Sequence, residues 1–170
     1  PLFDILPQLI INGLIAGSIY ALAASGFSLV YYVLKFQYFS HGAMMSIGAY
    51  SFFALLNLFV LHYLSAGLLT LAICILSTLL IDLLVYKPLR KRKATSNIKL
   101  IVSVVLLIFV TALILAVFGS STKSIALGTK TKIFDFGIFT ITSIQLAVVA
   151  LAIILFLALW FVLKKTRLGK

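Results

Sequence analysis

Lys35-Phe36-Gln37-Tyr38-Phe39-Ser40-His41-Gly42 interrupts an apolar, glycine-studded run that begins at Asn12-Gly13, passes Gly17, Tyr20 and Gly26, and resumes towards Tyr50. In lipid, irregular backbone is tolerated only where protein or water surrounds it. An apolar run that stops at polar and aromatic residues and then restarts is therefore where a membrane protein would build a site, and residues 35–42 are read as a broken helix. Lys35 cannot face hydrocarbon, because a lysine at mid-bilayer costs about 2.5–3.5 kcal/mol; it reaches the membrane surface or an aqueous cavity.

The rest of the chain settles the class. Of its 170 residues, 64% are hydrophobic and only 10% charged, against roughly 45–50% and about 25% in soluble domains; the mean hydropathy is +1.26. The chain is read as all-α, a polytopic membrane helical bundle forming a single transmembrane domain over 1–170. A span needs roughly 20 mostly apolar residues, and about five segments qualify on that count: Leu9 to Leu34, Ala43 to Leu64, Leu68 to Tyr86, Leu100 to Phe118 and Ile144 to Leu163. The first would extend roughly 39 Å at 1.5 Å per residue, so it must tilt, protrude or be interrupted.

The net charge of +11 follows topology rather than nucleic acid. Lys87, Arg90, Lys91, Arg92, Lys93 and Lys99 crowd one loop, and Lys164, Lys165, Arg167 and Lys170 crowd the end. Basic residues flanking apolar spans mark the cytoplasmic side. With two spans between them, both clusters lie inside, the loop Gly119 to Ser143 lies outside, and counting backwards puts the N-terminus outside. The basic loop would meet anionic headgroups, at about 1 kcal/mol per residue, so membrane lipid is an expected partner. No basic leader precedes the first span, and Cys74, the one cysteine, reads as packing.

Gly13, Gly17, Ala21 and Ser25 recur every four residues, with Gly26 beside them. Such a ridge lets membrane helices approach closely, within the chain or, alternatively, at a subunit interface. His41-Gly42 opens the second span, whose unpaired amides could attract a carboxylate; a hydrogen-bonded histidine near the interface is the equal alternative. Asp82 would pair with a Lys or Arg at the inner end of the third span, a gating role being the other reading. Pro88 should limit helix continuation there, and Trp160 fits the interfacial aromatic belt. Lys132 to Phe139 would form a short hairpin or an interfacial segment, and this external loop is either a docking surface for a delivery protein or a plain connector. The acids Asp4, Asp82 and Asp135 are scattered, which argues against paired acid–base work, and no phosphate-binding loop is written.

Asn12-Gly13, Gly17-Ser18-Ile19-Tyr20-Ala21-Leu22, Gly26, Tyr31, Phe39-Ser40-His41-Gly42 and Gly48-Ala49-Tyr50 resemble the opening of permease subunits of branched-chain amino acid ABC importers. Asp82 and Val85-Tyr86-Lys87-Pro88-Leu89-Arg90 resemble that family's Glu-x-x-Val-Tyr-Arg-Pro-Leu-Arg signature. Phe118-Gly119 is similar to the close of its fourth span, and Thr166-Arg167-Leu168-Gly169-Lys170 to its entry into the segment that couples to the ATPase. The pattern departs at Tyr32 and Lys35, where the family usually has glycines, at Tyr38, where it has asparagine, and at Thr111-Ala112, where a Gln-Asn pair is common; a bulkier break should narrow the pathway.

The resemblance implies a permease without covalent chemistry or cofactor, moving branched-chain or other small amino acids inward. Its partners would be a second permease subunit, cytoplasmic ATPase subunits and an external substrate-binding protein in the cell membrane, with Tyr38, Phe39, Ser40, His41 and Gly42 on the substrate pathway. It also implies that these residues are the N-terminal portion of a longer permease. Two rivals stand beside it. An ion-coupled secondary transporter also uses broken helices but would line its path with ionisable groups, of which only Lys35 and His41 qualify. A non-transporting scaffold or truncated remnant would explain the glycine ridge and leave the break without a purpose.

Overall fold

The computed structural model describes residues 2–125 and 132–165. Its order is α1 (Leu2–Leu34), α2 (Ser40–Asn57), α3 (Tyr63–Ile81), a π-helical turn (Asp82–Tyr86), α4 (Lys87–Lys91), α5 (Ser96–Phe118), strands β1 (Ile133–Asp135) and β2 (Thr140–Thr142), and α6 (Ser143–Lys165). Among the described residues, four helical stretches are long and apolar enough to cross a membrane: Leu2–Leu34, Tyr63–Lys91, Ser96–Phe118 and Ser143–Lys165. The second expected span, Ala43 to Leu64, is instead the 18-residue α2, shorter and seeded with Ser40, His41, Ser46 and Asn57. The expected all-α membrane bundle stands.

The chain divides into two compact units, one of residues 1–29 with 130–170 and one of residues 30–129. In the first, α1 and α6 accompany the hairpin. Thr142-Ser143-Ile144-Gln145 is a capping box: Thr142 Oγ1 accepts from the Gln145 amide at 3.3 Å, and Gln145 Oε1 accepts from the Thr142 amide at 3.1 Å, satisfying donors that the start of α6 would leave open. Asp135 Oδ1 accepts from the amide of Gly137, whose φ of 77° suits glycine, and so closes the turn between β1 and β2. The Gln8 side chain takes both backbone groups of Thr140, accepting from its N–H at 2.7 Å and donating to its carbonyl at 3.1 Å. Within α1, Ser18 and Ser25 hydroxyls turn back onto the carbonyls of Ile15 and Ala21, which removes polar atoms from the helix exterior.

In the second unit α2 packs against both α3 and α5. Glycine makes both approaches possible: a Cβ on Gly42 would stand 3.3 Å from Leu107 Cδ1 of α5, and one on Gly48 would stand 3.3 Å from Cys74 Sγ of α3. Cys74 is therefore a packing atom against α2. Tyr50 stacks on Phe118 at 4.9 Å, where α5 ends at Gly119 with φ of 79°. Since Ser40 meets Ser103 at the other end, α2 and α5 run in the same direction; α3 runs opposite to α2, with Thr78 beside Met44 and Cys74 beside Gly48. Leu71, Ile75, Leu79 and Ile108 are more than half exposed, as in a chain whose solvent is hydrocarbon.

Pro88 was expected to limit the helix. It does not end it. The backbone passes from α3 through the π-helical turn, where the Lys87 amide bonds the carbonyl of Asp82, five residues back, and into α4. Proline has no N–H to give and its ring crowds the carbonyl four residues earlier; a wider turn followed by proline at the start of α4 accommodates both.

Candidate functional site

The break is real and narrower than 35–42. Helix α1 stops at Leu34, Lys35 takes φ of 59°, and α2 begins at Ser40, so the irregular backbone is confined to residues 35–39, and His41 and Gly42 are already helical. Its side chains alternate: Phe36, Tyr38 and Ser40 are buried, whereas Lys35, Gln37 and Phe39 are exposed.

Burial follows from an aromatic cluster. Phe36, Tyr38 and Tyr86 have ring centroids 5.5–6.2 Å apart, within the range where aromatic pairs attract beyond area alone, and Val30, Ile81, Val85, Leu89 and Leu106 close around them. Burial pushes the Tyr38 hydroxyl above the usual phenol range, Ser40 partly offsetting it, so the break carries a neutral tyrosine. Tyr86 Oη is also buried; it lies near Ser40 without hydrogen-bond geometry and has no partner among the described residues.

Ser103 of α5 anchors the backbone of the break. Its Oγ accepts from the Phe39 amide at 3.2 Å and lies 2.6 Å from the Leu100 carbonyl and 3.3 Å from that of Gln37. Ser40 Oγ donates to the Ser103 carbonyl at 2.9 Å. Both serines are fully buried. An irregular segment thus exchanges its water for two hydroxyls, as a low-dielectric setting requires.

The amides at the start of α2 are committed as well: those of His41 and Gly42 bond the carbonyls of Tyr38 and Phe39, each at 3.2 Å. With Phe39 N–H held by Ser103, these three donors are not aimed at a ligand carboxylate. Cations surround the break. Lys99 Nζ lies 5.9 Å from the Phe36 ring and Lys35 Nζ 4.1 Å from the Tyr32 ring, while Lys87 follows Tyr86 directly. Charges at this density are costly in hydrocarbon, so this end of the unit faces the membrane surface or an aqueous cavity rather than lipid chains.

Of the other expected positions, Gly13 and Gly17 would meet no atom within 4 Å if given a Cβ; Ala21 is exposed, Ser25 and Gly26 half-buried. Asp82 forms a two-point ion pair with Arg90, the basic partner expected for it. Of the two readings of Lys132 to Phe139, the hairpin is observed, but it runs over 133–142, its second strand lying beyond Phe139. Trp160 is exposed, with Lys164 Nζ 4.6 Å from its ring. Thr166, Arg167, Leu168, Gly169 and Lys170 lie outside the described residues.

Ser103 and Tyr86 were missed as site residues, and Phe36, inside the expected break, was not among those placed on the pathway. The signal for Ser103 was available: it is one of two hydroxyls in the otherwise apolar stretch from Leu100 to Phe118, and a polar group there needs a partner.

A family model described as branched-chain amino acid transport system / permease component matches residues 9–170. No curated protein and no solved structure matches the chain.

Proposed function

We propose, for a chain that belongs to the permease family of branched-chain amino acid transport systems, the role of one membrane subunit of an ATP-driven importer that carries branched-chain or other small amino acids into the cytoplasm. The family match over residues 9–170 is the observation that carries this reading. Energy would come from separate cytoplasmic ATPase subunits, substrate from an external binding protein, and the pathway would be completed by a second permease subunit. On this reading, which requires α2 to cross together with the four longer stretches, the N-terminus is external, and residues 87–99 and the C-terminus are cytoplasmic, the latter leading into the coupling segment at Thr166 to Lys170.

Within that role the break acts at the mouth of the pathway. Tyr38, Phe39, Ser40, His41 and Gly42 join a buried aromatic cluster to the start of α2, and Ser103 ties that start to α5. A transporter needs contacts that differ between its two access states; ring-to-ring contacts and a pair of serine hydrogen bonds can part and re-form without leaving a charge stranded. The exposed hairpin at 133–142 is the proposed docking surface for the binding protein.

Affinity purification of the full-length protein from its native membrane tests the assignment. An ATPase with a phosphate-binding loop should co-purify in equal ratio with permease subunits. Solute uptake driven by an ion gradient, with no ATPase attached, would instead make the protein a secondary transporter.

A further inference from the structure

The second unit gathers Lys35, Lys87, Arg90, Lys91, Arg92, Lys93 and Lys99 at one end. Three chain segments supply them, and the aromatic cluster joins those segments: Lys99 lies against Phe36, Phe36 packs on Tyr86 at 5.9 Å, and Lys35 and Lys87 are the next residues along the chain. Leu89, which packs on the same cluster, leads into Arg90 to Lys93. The one acid among residues 30–129 is Asp82, and Arg90 already occupies both of its oxygens. Apart from Lys87, whose charge also acts on Asp82, the remaining cations of the cluster have no acid in this unit to pair with.

Two of these lysines stand where the backbone favours glycine. Lys35 has φ of 59° and Lys93 has φ of 52°, each just past a helix end, with its amide bonded back to the carbonyl of Tyr31 or Arg90. Left-handed backbone strains any residue with a Cβ and costs glycine nothing. Val60 adopts the same backbone at φ of 51°, but at the two lysines the side chain can return part of what the backbone loses. Part of that return is the helix dipole, which favours a cation at a C-terminal end. The remaining surroundings point to a ligand with two parts, because exposed apolar side chains lead up to the cations: Leu79, Leu83 and Leu84 on one helix, Ile101 and Val105 on another, all more than half exposed.

We propose that this rim is a binding site for an anionic phospholipid, its phosphate held by Lys35, Lys93 and their neighbours and its acyl chains lying along the apolar faces beside them. This goes beyond the general attraction of a basic loop for a charged surface. It assigns a site built from three segments, in which the two left-handed lysines present their ammonium groups to the headgroup. It is independent of what the protein transports.

The test is thermal unfolding of the full-length protein in neutral detergent micelles, where insertion orientation plays no part, with added phosphatidylglycerol or phosphatidylcholine. Phosphatidylglycerol should raise the midpoint by several degrees, phosphatidylcholine should not, and 0.5 M salt should shrink the difference. In the double variant K35G/K93G the midpoint without anionic lipid should be equal to or higher than in the parent, and the phosphatidylglycerol increment should fall to less than half; K35R/K93R should retain it. The variant K91Q/R92Q, which leaves the backbone unstrained, should reduce the increment independently. Equal increments in parent and glycine variants, or the same increment from inorganic phosphate or an acidic peptide in place of lipid, would overturn the proposal.

Discussion

Arg90 grips both carboxylate oxygens of Asp82, eight residues earlier, at 2.7 and 2.9 Å. In a regular α-helix an eight-residue separation leaves two side chains about 80° apart around the axis. The π-helical turn at Asp82–Tyr86 inserts one residue, so the pair behaves as though seven apart, about 20° from alignment. The ion pair and the wide turn therefore support each other. Both side chains are more than two-fifths exposed, so a double-mutant cycle with D82N and R90Q should give a coupling of only about 0.5–1 kcal/mol in detergent unfolding; no coupling would mean that the fork does not hold the turn.

A wide turn that arises from one inserted residue should tolerate losing one. Deleting Leu84, which is exposed, would convert the turn to α-helix and leave Tyr86 in the aromatic cluster and Arg90 facing Asp82. Deleting Leu76 from regular α3 would rotate everything after it by about 100° and remove Tyr86 from its neighbours. Size-exclusion profiles of the two deletions should show a monodisperse protein for the first and aggregation for the second.

Ser103 should matter more than Ser40. Ser103→Ala removes two contacts with the break at once, the acceptor of the Phe39 amide and the hydroxyl against the Gln37 carbonyl, which should cost about 1–3 kcal/mol, whereas Ser40→Ala removes one donor from a carbonyl that belongs to a helix and should cost about 0.5–1.5 kcal/mol. Chemical unfolding in detergent would rank them, and the reverse order would contradict the anchoring role given to Ser103.

Tyr86 yields a prediction of opposite sign. Its ring is buried but its hydroxyl has no hydrogen-bond partner among the described residues, so Tyr86→Phe removes an unsatisfied group and should leave stability unchanged or raise it by about 1 kcal/mol. Tyr86→Ala empties the cluster and should cost about 3–5 kcal/mol. Destabilisation by the phenylalanine variant would show that the hydroxyl has a partner in the working protein.

Class and break were legible because both are written in hydrophobicity. The stop after Leu34 is visible as Lys35 amid polar and aromatic residues, and the hairpin as Asp135-Phe136-Gly137 between apolar pairs. Asp82 and its basic partner could be anticipated from sign alone. The exact element ends could not: Asn57 ends α2 well before Leu64, since apolar Leu58 to Leu61 read equally as helix or connector. Helix continuation through Pro88 was hidden because a π-helical turn depends on how the backbone shares carbonyls, which no residue pattern spells out. The pairing of Ser40 with Ser103 is a long-range contact, and only a hydroxyl in an otherwise apolar run hinted at it.

The most direct measurement is uptake of a radiolabelled branched-chain amino acid by proteoliposomes containing the full-length protein with its co-purified partners and external binding protein. Accumulation should require ATP inside the compartment that holds the ATPase, disappear when that ATPase loses its phosphate-binding lysine, and fall several-fold when Tyr38 and Ser103 are both replaced by alanine. Accumulation that persists without ATP and follows an imposed ion gradient would contradict the account.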